Sequence, residues 1–152
     1  MKELHVSFAS LQDIPALCIL LGQLFSQEEE FCAQKVLQEK ALTTILNNPS
    51  LGVILVAKKE RKAVGMVNLL FSISTALGDK VILLEDMIVD QKYRDQKIGS
   101  LLLTRAKEYA KENGFLRITL LSDEDNLKAH KFYKKHGFVY SPRKVFTCKD
   151  FS

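Results

Sequence analysis

One stretch of the chain constrains the fold more than any other. Val81 to Val89 reads as a strand, Lys97 to about Asn113 as a helix, and Phe115 to Leu121 as a second, buried strand. The helix carries Ile98, Leu101, Leu102, Ala106, Tyr109 and Ala110 at 3.6-residue spacing, with Gly114 just past its end as a terminating glycine. Two strands joined through a helix pair in parallel, and the crossover is right-handed. Any fold for this chain must therefore contain a parallel strand pair with a helix packed on it.

The remaining segments supply the rest of a sheet. Leu4 to Phe8 alternates as a strand, and Ser10 with Asp13 reads as a capping box for a helix running to about Phe25. The stripe of that helix is Ile14, Leu17, Cys18, Leu21, Leu24 and Phe25. A second helix is predicted over Gln34 to Leu46, stopped by Asn47-Asn48-Pro49. Gly52 to Lys58 and Ala63 to Ser74 form a hairpin across the polar turn Lys59-Glu60-Arg61-Lys62. Asn126 caps a last helix that ends at Gly137, and Phe138 to Tyr140 and Lys144 to Thr147 read as short closing strands. This order predicts an α+β fold, an α/β sandwich whose mixed, mostly antiparallel central sheet has helices on both faces and one parallel crossover.

At 152 residues, 47% hydrophobic and 26% charged, the chain is expected to be one domain over 1–152 with a core of its own. No apolar run is long enough to span a bilayer, and Met1-Lys2-Glu3-Leu4-His5 has no signal-peptide core. The three cysteines, Cys18, Cys32 and Cys148, show no Cys-x-x-Cys spacing, which fits a reducing, cytoplasmic setting. His5, His130 and His136 lack metal-ligand spacing, so no metal is expected. The net charge of +4 is uneven, with seven Lys or Arg against one acid over Asn126–Ser152. No nucleic-acid-binding motif accompanies that basic end, and neither nucleic acid nor membrane is expected as a partner.

The chemistry concentrates in Leu84 to Ser100, where the strand passes through a short loop into the helix. The first helical turn offers N–H groups outside the helical ladder, Gly99 lets an anion approach, Ser100 adds a hydroxyl, and Arg94 and Lys97 add charge. Neither G-x-x-x-x-G-K-[ST] nor G-x-G-x-x-G is present. On these residues alone the loop is either a pyrophosphate site or a plain strand-to-helix turn.

Arg94-Asp95-Gln96-Lys97-Ile98-Gly99 resembles the acyl-CoA motif Arg/Gln-x-x-Gly-x-Gly/Ala of the GCN5-related N-acetyltransferase (GNAT) family, with Lys97 in place of its first glycine. Asn126, Ala129, Phe132-Tyr133 and Gly137-Phe138 resemble the family's second signature, and the element order is also similar. The resemblance implies an enzyme that moves acetyl from acetyl-CoA to a primary amine, small-molecule or peptide, by direct attack in a ternary complex. It also implies a bulged strand before the loop. There the N–H groups of Met87, Ile88 and Val89 would hold the pantetheine and the thioester carbonyl. Amides of Arg94, Asp95, Gln96, Lys97, Ile98, Gly99 and Ser100 would hold the pyrophosphate. Asn126 is either a further cofactor contact or only a helix cap, and Tyr133 either the acid that protonates the thiolate or a core ring.

Leu84-Glu85-Asp86 is similar to the same stretch of polyamine (diamine) N-acetyltransferases, which implies Glu85 as general base through water. Asp86, Glu28, Glu29 and Glu30 would then attract a cationic acceptor, although strand alternation sends Asp86 to the face opposite Glu85. A solvated helix start is the alternative for the three glutamates. With Lys97 in the loop, the alternative function is a non-catalytic acyl-CoA-binding or regulatory module. Family members are commonly homodimers.

Overall fold

Five strands form one sheet in the order β1-β2-β3-β4-β5, so each strand lies beside its predecessor in sequence. The computed structural model describes residues 3–25 and 35–152. The strands are β1 (Leu4–Phe8), β2 (Gly52–Lys59), β3 (Lys62–Ser74), β4 (Asp79–Val89) and β5 (Ile118–Leu120). Each neighbouring pair among the first four is antiparallel, and β5 joins β4 in parallel. The helices are α1 (Ile14–Phe25), α2 (Lys35–Leu46), α3 (Ile98–Glu112) and α4 (Leu127–Lys135), with α3 as the crossover from β4 to β5. The chain divides into two compact units, Met1–Leu121 with the sheet and α1 to α3, and Ser122–Ser152 with α4.

Both faces of the sheet are covered, and β3 shows how. Its even-numbered Met66 packs with Leu17, Leu20 and Leu21 of α1, Leu42 of α2, Ile54 and Val56 of β2 and Ile88 of β4. The neighbouring Gly65 points the other way, toward α3. A Cβ there would lie 3.1 Å from both Ile98 and Leu102, so this glycine lets the helix sit close on the sheet. Farther along α3, Tyr109 packs with Phe8, Phe71 and Phe115 at ring separations of 5.7, 6.2 and 6.0 Å. Alternation in β3 thus serves two helical layers at once, and the strand is buried over Ala63–Leu69.

At the start of α1 the Ser10 N–H donates to the Asp13 carboxylate at 2.8 Å. Lys58 closes on the same carboxylate at 2.7 Å. Burial would raise the Asp13 carboxyl, but Lys58 and Ser10 hold it below its usual range. The expected cap is therefore present, and it opens a 3₁₀ turn over Leu11–Asp13 that runs into α1.

Three expectations change. Of Phe115–Leu121 only Ile118–Leu120 forms a strand, and none of that stretch is buried. The β2–β3 turn is tighter than its four polar residues suggest. Lys59 pairs with Lys62, and only Glu60 and Arg61 turn, with φ of 51° and 69°. Two left-handed residues make the two-residue connection that matches the twist of paired strands. Phe138–Tyr140 and Lys144–Thr147 carry no strand ladder. Alternation alone makes no strand without a backbone partner, and Pro142 between them has no N–H to give. Of the earlier readings, Gln34, Cys32, Glu28, Glu29 and Glu30 fall outside the described residues.

Gly52 supplies a direct test of the sheet. It pairs with Leu70, and a Cβ there would collide with the Leu69 carbonyl and lie 3.2 Å from the Leu70 Cα. Gly52→Ala is expected to lower stability by about 1–3 kcal/mol, as overpacking does. The loss should appear as a lower denaturant midpoint at unchanged slope.

Candidate active site

The site is built where β4 leaves β5. Their parallel pairing is Ile82↔Ile118, Leu83↔Thr119 and Leu84↔Leu120, and it stops there. β4 continues to Val89 beside β3, with no β5 partner along its other edge. The β3–β4 register breaks at the same place. Met66 pairs with Ile88 and Asn68 with Glu85, so Val67 alone stands opposite Asp86 and Met87. Asp86 takes φ +52°, in the left-handed region. This is a β-bulge, which bends the strand and increases its twist. It begins one residue before the expected Met87–Val89, because an aspartate enters the left-handed region more readily than methionine, isoleucine or valine.

The bulge also overturns the simple alternation of the two acids. Asn68 stands directly across from Glu85 and so shares its face of the sheet. The same Asn68 donates from Nδ2 to the Asp86 carboxylate at 3.2 Å. Asp86 therefore lies on the Glu85 side, not the opposite one, because the extra residue interrupts the two-residue period. That side is the one carrying Met66, under α1 and α2. Burial pushes the Asp86 carboxyl above its usual range, against the pull of the Asn68 N–H. Burial also raises Glu85, and the neighbouring Asp86 charge adds to the effect. Glu85 itself is exposed, so its carboxylate is within reach of water and can accept a proton through it.

The loop beyond β4 is braced from several directions. Asp90 is buried, donates its N–H to the Val64 carbonyl at 2.8 Å, and accepts the Lys92 N–H on its side chain at 3.0 Å. Gln91 donates its N–H to the Gln23 side chain of α1 at 3.1 Å. The basic hairpin reaches in as well. Lys59 Nζ donates to Gln96 at 2.8 Å, and Lys59 and Lys62 lie 5.8 and 5.4 Å from the centre of the Tyr93 ring.

α3 then opens at Lys97, whose φ is 62° and ψ 21°. The first ladder bond runs from Leu101 N–H to Lys97 C=O at 3.1 Å, so the Ile98 and Gly99 amides precede the ladder at the positive end of the helix dipole. Arg94, Asp95, Gln96 and Lys97 are exposed, Gly99 and Ser100 are half-buried, and Ile98 anchors the turn in the core. Lys97 thus replaces a motif glycine at a position whose backbone is left-handed. An L-residue pays about 1–2 kcal/mol for that conformation.

The second unit holds the other candidates. Asn126 caps α4, its side chain accepting the Ala129 N–H at 3.2 Å. Tyr133 is half-buried with its ring 5.5 Å from Phe132 and 5.9 Å from Phe138, and burial raises its phenol. Gly137, at φ 88°, ends the helix and lets the Phe138 N–H return to the Tyr133 carbonyl at 3.0 Å.

Sequence reasoning missed Asn68, though a lone amide within the otherwise apolar run Val64 to Phe71 was the available signal. It also missed Lys59, Lys62 and Tyr93, which only the tertiary fold brings to the loop. Among the described residues, no helix is long and apolar enough to cross a membrane.

Comparison with known proteins places this arrangement. Residues 16–138 match the model of the acetyltransferase (GNAT) family. The chain is 32% identical over 131 residues to the uncharacterised N-acetyltransferase YhfO of Bacillus subtilis (strain 168), covering 84% of this chain and 87% of that one. A possible acetyltransferase from Clostridium difficile 630 has the same fold at TM-score 0.88 and 15% identity, covering 98% of this chain and 99% of that one. An aminoglycoside N-acetyltransferase solved with CoA matches at TM-score 0.83 and 14% identity, covering 98% of this chain and 96% of that one.

Two outcomes follow from the strained and buried groups. Stability at position 97 is expected to rank Gly, then Lys, then Val. Lys97→Gly should gain up to about 1 kcal/mol, since glycine's extra unfolded-state entropy offsets part of the relief. Chemical denaturation reads the ranking, and a Val variant as stable as Lys would contradict it. The second outcome concerns Asp86. A carboxyl raised in the folded chain favours folding while protonated and loses that contribution as pH climbs through its folded pKa. Asp86→Asn should therefore be more stable than the parent at neutral pH, and the advantage should vanish near about pH 3, where both side chains are neutral.

Proposed function

The chain belongs to the acetyltransferase (GNAT) family, an acyl-CoA-dependent family of N-acetyltransferases, and from that footing we propose that it acetylates a primary amine by direct attack on acetyl-CoA in a ternary complex. The observation that carries the proposal is the bulged β4 parting from β5 after Leu84↔Leu120 and leading into the amide-rich start of α3. In this reading the amides of Met87, Ile88 and Val89 hold the pantetheine arm and the thioester oxygen. Donors aimed at an oxygen that gains charge stabilise the tetrahedral intermediate. The Arg94–Ser100 loop holds the pyrophosphate, with Lys97 adding charge, and Asn126 helps fix the arm.

The reaction needs two proton movements. The acceptor arrives as an ammonium and must lose a proton before its nitrogen attacks the thioester carbon. Glu85 takes that proton through water. The carbon–sulfur bond then breaks, and Tyr133, whose buried phenol keeps its proton at neutral pH, gives it to the departing thiolate. Asp86 draws a cationic amine to the Glu85 side, and the charge of the Glu28–Glu29–Glu30 run adds to that attraction. We place both units in one cytoplasmic acetyltransferase domain that pairs as a homodimer, acting on polyamines or on amines such as the aminoglycosides of its CoA-bound structural relative.

The test is thiol release from acetyl-CoA with spermidine, kanamycin, free lysine and a short peptide as acceptors. At least one amine is expected to turn over. Tyr133→Phe should lower kcat by about 10²–10⁴-fold with acetyl-CoA affinity kept. Glu85→Gln should lower kcat/KM most near pH 7 and less toward the pKa of the amine. Tight CoA binding without thiol release for any amine would favour the non-catalytic module, the reading to which Lys97 in the loop lends itself. Turnover within twofold of the parent in Tyr133→Phe would remove that residue as the acid.

A further inference from the structure

Asn68 is the odd residue of β3. It is 4% exposed within an apolar strand, and its Oδ1 has no hydrogen-bond partner among the described residues. Burying an amide and leaving half of it unsatisfied is unfavourable, and such a group calls for a reason beyond packing. Its remaining contact is specific. Across the register break, Nδ2 donates to Asp86, the residue whose left-handed backbone creates the bulge. Bulges with a left-handed first residue ordinarily use glycine there, which needs no such tether. An aspartate needs something to hold it, and Asn68 is the neighbour that does so.

We infer that Asn68 is a positioning residue for acyl-CoA: its buried amide pins the Asp86 carboxylate, holding the left-handed bulge and so the direction of the amides that follow it. The inference rests on the acyl-CoA reading above and adds a residue to it. It separates two parts of the ligand. The pantetheine arm depends on the bulge, whereas the nucleotide end depends on the loop at the start of α3. It also makes Asn68 dispensable once residue 86 can adopt the left-handed conformation unaided.

The experiment measures calorimetric affinity for CoA and for 3′,5′-ADP, which lacks the arm. Asn68→Leu is similar in size and cannot donate. It should fold, lose tenfold or more in CoA affinity, and keep 3′,5′-ADP affinity within twofold. In an Asp86→Gly background, where glycine holds the bulge alone, adding Asn68→Leu should change CoA affinity by less than twofold. Unchanged CoA affinity in Asn68→Leu overturns the inference. So does a parallel loss for both ligands, or an equal loss in the Asp86→Gly background. If Asn68→Leu does not fold, Asn68→Ser takes its place under the same criteria. A parent chain that binds neither ligand would instead sink the acyl-CoA reading, and this inference with it.

Discussion

The register break between β3 and β4 is the constraint on which the described site depends. A regular antiparallel pair would keep Glu85 and Asp86 on opposite faces and carry β4 straight into its loop. One extra residue opposite Val67 changes both. It turns Asp86 toward Glu85 and falls where the β5 ladder has already ended. The parallel pair is only three residues long, and that shortness matters as much as the bulge. A longer β5 would occupy the edge of β4 that the short pair leaves open.

Three unfavourable local choices accompany this geometry. Asp86, Asp95 and Lys97 all take backbone conformations that glycine adopts without cost. At Asp86 a buried amide donor opposes the cost, and the same donor limits how far burial raises the carboxyl. At Lys97 no equivalent tether is seen in the helix cap, and the side chain stays exposed. The rest of the loop is held instead by Asp90, Gln91 and the Lys59–Gln96 bond.

Charge follows the same division. The loop before α3 is bordered by Lys59, Lys62, Arg94 and Lys97, whereas the face under α1 and α2 carries Glu85 and Asp86. An anionic donor and a cationic acceptor would thus meet opposite fields on arrival, which favours binding both over binding two of either. Burial raises both carboxyls on that face above their usual range.

The sequence by itself determined the element order, the parallel crossover, and the capping of α1 and α4. These rest on periodicity, turn chemistry and local hydrogen bonds, which act over a few residues and are legible in order along the chain. Only the tertiary structure decided that the β2–β3 turn has two residues, that the last two alternating stretches carry no ladder, and that Asp86 lies with Glu85. It alone brought Asn68 to the bulge and Lys59 to Gln96. Each of those outcomes depends on which backbone stands opposite which. Register between strands is set by the fit of whole faces, so one inserted residue reverses the facing of everything beyond it, and no local pattern announces where that insertion falls.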